Sequence, residues 1–228
     1  MYLIEKTINM LYRTGESFFL NPEDLKKVCN HLKKNSYFVY KPYPYSEKNL
    51  LYIKNIPDIL LLEIISPIKL RHQDILGTLY SLGIEDYLFG DIIIHNNHYY
   101  FYTFKKMQFF FETELKRIKN TNIELIERDI QLLNNFEPNF EEITIINSSL
   151  RIDSIIAKII QTNRDTVKDL IKDKKIILNY EMLTQNDKKL NINDTFSIRK
   201  YGKFRLKEIV GNTKKENLII QIQKYIDE

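Results

Sequence analysis

Lysine residues in the last third of the sequence are spaced to hold a row of phosphates. Lys168, Lys172 and Lys175 stand at i, i+4 and i+7, so they share one face of a predicted helix. Ammonium groups in such a row neutralise a nucleic-acid backbone without reading its sequence. The alternative is that these lysines are solvated and offset by neighbouring acids, Asp165, Asp169 and Asp173.

Arg164 stands where a basic residue is unexpected. If Asn163 caps the next helix, Arg164 lies in its first turn, where a cation opposes the helix dipole. Departures from local rules often mark function, and a guanidinium beside free N–H groups favours a phosphate. We therefore expect that exchange of both Arg164 and Lys168 for glutamate abolishes nucleic-acid binding and lowers the melting temperature only slightly.

The alternating residues 195–207 predict a basic β-hairpin. Its apolar side chains would point inward: Phe196, Ile198, Phe204 and Leu206. Its basic side chains would point outward, near the basic helix: Arg199, Lys203, Arg205 and Lys207. At the turn, Tyr201 either stacks on an exposed base or packs on the hairpin, and both interpretations stay open.

Charge and composition fit a protein with such a basic part. Residues 147–228 carry 17 Lys and Arg against 11 Asp and Glu, a net +6, whereas residues 1–146 carry 17 against 19. The single cysteine, Cys29, excludes a disulfide framework. The apolar run at 56–68 is too short and too charged to span a bilayer. We expect a cytoplasmic protein with no signal peptide and no membrane association.

The elements that position these residues predict an α+β protein with three parts. Residues 1–55 form a mostly helical N-terminal α/β segment, in which Asn21-Pro22 opens a helix. Residues 56–146 comprise a split-βαβ, ferredoxin-like or RRM-like domain, with helices at 71–82 and 105–119, and a connector over 131–146. Residues 147–228 form the basic domain.

Three segments together carry a resemblance to a known family. Arg151–Asn179 has the order of an S4 RNA-binding domain, and Asp194–Phe204 is like its strand, basic turn and second strand. Arg71–Ile84, followed by Gly90-Asp91-Ile92, is similar to the HRD-x-LG-x-LL-x-LGI…GDI segment of the YlmH central domain. The chain thus resembles the YlmH family of ribosome-associated S4 proteins over roughly residues 50–228.

Several residues depart from the family pattern. Asn163 replaces a serine, and Gln73 replaces an arginine. Glycines of the family pattern are replaced at three further positions: Lys174, Asn193 and Lys200. Asparagine tolerates the left-handed backbone conformation, whereas lysine does so less readily.

The resemblance implies a non-catalytic protein of ribosome-associated quality control. It would bind ribosomal RNA and peptidyl-tRNA on the large ribosomal subunit of bacteria, and be a monomer off the ribosome. Together with the charge pattern, it gives this RNA-binding set: Arg151, Arg164, Thr166, Lys168, Lys172, Lys174, Lys175, Arg199, Lys200, Tyr201, Lys203 and Arg205.

Other function classes have weaker support in the sequence. An RNA-modifying enzyme of the pseudouridine synthase type would need a catalytic aspartate, but Asp153 is interpreted as a cap or partner of Arg151. A metal pair at His95 and His98 has no accompanying ligands, so we predict no metal, no cofactor and no enzyme. An adaptor of cell division or the envelope would bind no RNA.

Overall fold

The computed structural model describes residues 2–226, which form two compact units, residues 2–137 and residues 138–226. Both units combine helices with antiparallel sheets, which confirms the predicted mixed α and β class. No helix within residues 2–226 has the length and apolar character needed to cross a membrane.

The first unit begins with two helices and a short hairpin, and continues as a β-α-β-β-α-β run. Asn21 caps the second helix by accepting the N–H of Asp24 at 2.9 Å, as the sequence predicts. The elements are α1 (Tyr2–Thr14), α2 (Pro22–Asn30), β1 (Phe38–Tyr40), β2 (Leu50–Tyr52), β3 (Ile59–Ile65), α3 (His72–Ser81), β4 (Phe89–His95), β5 (His98–Phe104), α4 (Gln108–Glu114), β6 (Arg117–Ile118), β7 (Thr121–Asn122) and β8 (Glu124–Arg128).

The main sheet of this unit has the strand order β4-β5-β3-β8, and every neighbouring pair is antiparallel. The predicted two-residue turn is present, with φ of 51° at Asn96 and 60° at Asn97. Gly83 ends α3 with φ of 75°, which is also as predicted.

One face of this sheet is covered by α3 and α4. Leu60 and Leu62 of β3 point to that face, because alternate residues of a strand share a side. They pack in one core with Ile75 and Leu79 of α3 and Phe111 of α4.

The opposite face of the sheet is covered by the N-terminal segment. Leu61 and Tyr102 point to that face and pack with Phe18, Phe19 and Leu50. The sheet therefore needs the first 55 residues to bury its second apolar face. This packing explains why the compact unit extends from residue 2 to residue 137, without the predicted division at residue 55.

Gly90 of β4 lies where this covering approaches the sheet most closely. A Cβ atom built there would lie 3.0 Å from Phe19 Cε1 and 3.0 Å from Tyr102 Cβ. Both neighbours are buried and cannot withdraw freely. We expect Gly90→Ala to lower the free energy of unfolding by about 1–2 kcal/mol, measured by urea denaturation followed by circular dichroism.

Gly77 provides a matched control for that substitution. It lies in the interior of α3 and is exposed, and an added Cβ would meet no atom within 4 Å. Gly77→Ala should raise the free energy of unfolding by about 0.5–1 kcal/mol, because alanine is the better helix former. Equal effects of the two substitutions would contradict the packing account of Gly90.

The single helix predicted over residues 105–119 is wrong in its second half. A 3-10 turn at Lys105–Met107 leads into α4, which ends at Glu114. Leu115 then leaves helical geometry at φ −86° and ψ 71°, and the β6–β7 hairpin follows. Leu115 and Ile118 are three residues apart, a spacing that is compatible with one face of a helix. Here the turn and hairpin after α4 bury both of them.

The second unit is a six-stranded antiparallel sheet with two helices on one face. Its elements are β9 (Phe140–Asn147), α5 (Ile152–Ile159), α6 (Arg164–Lys172), β10 (Ile176–Leu178), β11 (Glu181–Met182), β12 (Thr195–Ile198), β13 (Gly202–Asn212) and β14 (Leu218–Tyr225). The strand order in the sheet is β11-β10-β12-β13-β14-β9. Ile155 and Ile156 of α5 and Val167 of α6 pack against Phe196 and Phe204 of the sheet.

The connector predicted over residues 131–146 is partly wrong, because β9 occupies its second half. β9 pairs with β14 along its whole length, from Phe140 opposite Tyr225 to Asn147 opposite Leu218. The unit boundary therefore falls at residues 137 and 138, and not at the predicted 146 and 147. Glu141 and Glu142, which suggested a solvated linker, lie on a strand at the sheet edge.

Candidate nucleic-acid interface

The turn between α5 and α6 sets the position of Arg164. Ile160 caps α5, and Gln161 reverses the chain with φ of 51°. Asn163 then caps α6 by accepting the N–H of Thr166 at 2.8 Å, so the predicted cap is confirmed. Thr166 also donates its hydroxyl to Asn163 Oδ1 at 3.1 Å, so this predicted contact residue serves the cap.

Asp153 is the centre of a buried charge cluster. Its side chain is 0% exposed, and its Oδ2 lies 2.9 Å from Arg151 Nη2 and 2.7 Å from Arg164 Nη2. Its Oδ1 accepts the N–H of Ser154 at 2.8 Å. The predicted partnership of Asp153 with Arg151 is therefore confirmed, and Arg164 is a second partner that the sequence did not reveal.

The arginines decide the ionisation of Asp153. Burial alone would raise the pKa of the Asp153 carboxyl, but the hydrogen bonds from Arg151 and Arg164 outweigh it and hold that pKa below its usual range. One side of the Arg164 guanidinium is bonded to Asp153. Because the side chain is 49% exposed, its other side faces solvent.

This cluster corrects the expected result of charge reversal. A glutamate at position 164 would remove one of the two guanidinium partners of the buried Asp153 carboxylate and add a negative charge near it. We therefore expect the exchange of Arg164 to lower the melting temperature as well as remove a phosphate contact. Thermal stability would not stay unchanged.

The three lysines of the predicted row do not form one continuous row. Lys168 pairs with Asp165 at 2.8 Å, and Lys175 pairs with Asp173 at 2.7 Å, as the alternative interpretation expects. Lys175 also lies beyond the end of α6. Within the described chain, Lys172 makes no such pair and is exposed.

Five of the predicted cations meet at one end of the second unit. The turn after α6 and the turn between β12 and β13 are joined by a hydrogen bond from Arg199 N–H to Lys175 C=O at 2.9 Å. Tyr201 is 46% exposed beside them. We call this group the basic end, and its members are Lys172, Lys174, Lys175, Arg199 and Lys200.

The backbone of this region keeps the shape that glycines would allow. Lys174, Asn193 and Lys200 replace glycines of the family pattern, and all three adopt left-handed backbone angles, with φ of 56°, 72° and 77°. At Lys174 the turn is closed by N–H groups of residues 174 and 175 donating back to α6, at 2.9 Å each. Both turns therefore place a lysine at a position with left-handed backbone angles.

Lys203 and Arg205 lie on the other face of the sheet from the helices. Their neighbours Phe204 and Leu206 are buried against the helical layer, so alternate residues must face away from it. The expectation that this basic face lies near the basic helix is therefore wrong. Arg205 instead bonds Asn193 Oδ1 at 2.5 Å.

Lys203 is held between aromatic rings. Its ammonium lies 5.1 Å from the centre of the Tyr180 ring and 5.0 Å from that of Tyr225. Such placement gives a cation–π attraction and leaves the lysine only partly exposed.

A pocket opens at the α5–α6 turn beside the arginine pair. Its volume is about 460 Å³, and Arg164 and Ala157 are among its walls. The residues that line it are Ser154, Ala157, Lys158, Gln161, Thr162, Asn163 and Arg164. Sequence reasoning missed Lys158 and Gln161, since no periodic pattern connects a residue of α5 with one in the turn.

Asp74 and Glu63 are carboxylates with structural roles in the first unit. Asp74 accepts the backbone N–H of Arg71 at 2.9 Å and pairs with Lys119 at 2.7 Å, so it caps α3. Glu63 is buried and accepts from His98 at 2.6 Å and Arg128 at 2.5 Å. Within residues 2–226 no group of three or more potential ligands is placed to hold a metal ion.

Asp91 holds the loop before β2. Its Oδ2 accepts the Glu47 N–H at 2.7 Å and the hydroxyls of Tyr43 and Ser46 at 3.1 Å each. Its Oδ1 accepts the Lys48 N–H at 3.1 Å. Burial and the nearby Glu47 raise the pKa of Asp91, and these hydrogen bonds oppose that rise.

Residues of the first unit are similar to a known protein family. Residues 58–132 match the family model described as "Putative RNA-binding domain in YlmH". The first unit thus contains a segment, residues 58–132, that is similar to this putative RNA-binding domain.

Two individual proteins extend this likeness. The chain is 24% identical over 157 residues to "Ribosome-associated protein quality control protein P2" of Bacillus subtilis (strain 168). The match covers 69% of this chain and 61% of that relative, so the chain spans about three fifths of the relative's length. The solved "Cell division protein ylmH from Streptococcus pneumoniae" is 22% identical over 56% of this chain and 88% of its own, with a TM-score of 0.46. The resemblance to the YlmH family is thereby confirmed.

Proposed function

We propose that this chain is a cytoplasmic, non-catalytic RNA-binding protein of ribosome-associated quality control. It binds ribosomal RNA and peptidyl-tRNA on the large ribosomal subunit, and is a monomer off the ribosome. The observation that carries the proposal is the likeness to a protein named for ribosome-associated quality control. The match of residues 58–132 to a putative RNA-binding domain supports it further.

We further propose that the second unit is an S4 RNA-binding domain and that residues 59–128 are an RRM-like domain. Two short helices lie against a sheet in the second unit, and their connecting turn carries Asn163 and Arg164. The basic end then supplies contacts to the RNA backbone, because four of its five cations are exposed and cations gathered on one end suit a row of phosphates.

The test is co-sedimentation with separated small and large ribosomal subunits, with and without peptidyl-tRNA, over a series of salt concentrations. We expect selective pelleting with the large subunit that weakens steeply as salt rises. The double variant Lys172→Gln and Arg199→Gln should bind about tenfold less tightly and reduce the salt slope by about 1.5–2.

The matched control removes the same charge elsewhere in the second unit. Lys214 and Lys215 lie in the turn at the opposite end of β13 and are exposed. Lys214→Gln with Lys215→Gln should leave subunit binding unchanged. Pelleting with neither subunit would overturn the proposal, and equal losses in both double variants would overturn the assignment of the basic end.

A further inference from the structure

We infer that the pocket at the α5–α6 turn takes one unpaired nucleobase of the bound RNA, with that nucleotide's phosphate against Arg164. The inference rests on the proposed RNA binding and adds a site of base recognition to it. The pocket has a volume of about 460 Å³ and is open to solvent, so it can seat one base against its wall without enclosing it.

The lining chemistry suits a base edge. Gln161 and Asn163 carry amides, which can present both a donor and an acceptor to a base. Asn163 Oδ1 already accepts the N–H and the hydroxyl of Thr166, so its amide nitrogen is left to donate. Ala157 offers a methyl group, against which a base can lie.

The charges at the pocket suit the sugar-phosphate chain. Lys158 and Arg164 line the same opening, and both are exposed. Arg164 is held by the buried Asp153 at 2.7 Å, so its guanidinium does not have to be ordered when a phosphate arrives. A phosphate beside this opening would therefore find a positioned partner.

An unpaired nucleotide is the form of RNA that can reach such a pocket. A base within a helix would first have to leave its stack and its pair, whereas a bulged base has already done so. Recognition of RNA bases by proteins is concentrated on loops and bulges for that reason.

The experiment compares two RNA hairpins of equal length, one fully paired and one with a single bulged adenosine. We expect the full chain to bind the bulged hairpin about tenfold more tightly, as one or two added hydrogen bonds would give. Gln161→Ala should remove most of that preference without changing affinity for the paired hairpin. Ala157→Leu places a larger side chain at the pocket wall and should do the same, with the melting temperature measured alongside because Ala157 also packs in the buried core.

Controls separate this inference from the proposed function. Gln185→Ala changes an exposed loop glutamine outside the pocket and should keep the preference. Equal binding of both hairpins by the unaltered chain would overturn the inference and leave RNA binding standing, whereas binding of neither would overturn the proposed function. If adenosine monophosphate competes as strongly as the bulged hairpin, the pocket binds free nucleotides. That result would overturn the inference that its ligand is a nucleotide of RNA.

Discussion

Replacement of Asp91 with alanine should lower the free energy of unfolding of the first unit by about 3 kcal/mol. The substitution leaves the backbone N–H groups of Glu47 and Lys48 without their acceptor. It also removes the acceptor of the Tyr43 hydroxyl, whereas the Ser46 hydroxyl keeps the Lys48 carbonyl at 2.7 Å. Each buried donor without a partner costs roughly 1–3 kcal/mol, and access to water at the loop reduces the sum.

The measurement has to separate the two compact units, because a chain of two units need not unfold in a single transition. Hydrogen exchange of the β4 and β5 amides reports the first unit, and that of the β13 and β14 amides reports the second. We expect faster exchange only in the first unit. Asp91→Asn, which keeps one acceptor oxygen, should lie between alanine and the unaltered chain; an alanine variant that exchanges normally would show that Asp91 does not hold the loop.

Replacement of Asp153 with alanine should lower the free energy of unfolding of the second unit by about 3 kcal/mol. The substitution leaves two guanidiniums without their common carboxylate and the Ser154 N–H without an acceptor. Loss of one partner from a buried ion pair is strongly destabilising, because the remaining charges lose their compensation. Because both arginines are partly exposed, we place the loss at the lower end of the range.

The effect of Asp153 should depend on pH in a defined direction. Its pKa is lowered in the folded chain, so the unfolded chain binds the proton more readily. The stabilisation is fully present above the unfolded pKa of about 4 and is lost as pH falls through the lower folded value. The difference in melting temperature between the unaltered chain and Asp153→Asn should therefore shrink below about pH 4.

An exposed aspartate in the same unit provides the control. Asp165 is 86% exposed and pairs with Lys168 on the surface of α6. Asp165→Ala should leave the melting temperature nearly unchanged, since exposed pairs contribute little. If the difference in melting temperature between Asp153→Asn and the unaltered chain stays the same at low pH, the ion pair is excluded as the source of that stability.

Local signals in the sequence were sufficient for many elements. Asn21, Gly83, Asn96 and Asn163 mark helix caps and turns through their own side chain or backbone preference, and each holds the predicted position. Such signals act over a few residues, so they can be recognised without the rest of the fold.

Features that depend on distant pairing were not predictable in this way. β9 becomes a strand because β14, about 80 residues later, offers it an edge. The face on which Lys203 lies depends on where the helices pack, and the partnership of Arg164 with Asp153 depends on the turn at Gln161. These contacts join residues that no local pattern connects.

The N-terminal segment of the first unit covers one face of the sheet within residues 58–132, the segment similar to a putative RNA-binding domain. RNA-recognition motifs stack bases on aromatic residues exposed on the sheet. Here Tyr100, Tyr102 and Phe104 are 8%, 0% and 0% exposed, and they pack beneath the chain's own residues Phe19 and Tyr43. The chain's own side chains lie on the sheet face that such a motif uses for bases, so this face is not available for base stacking.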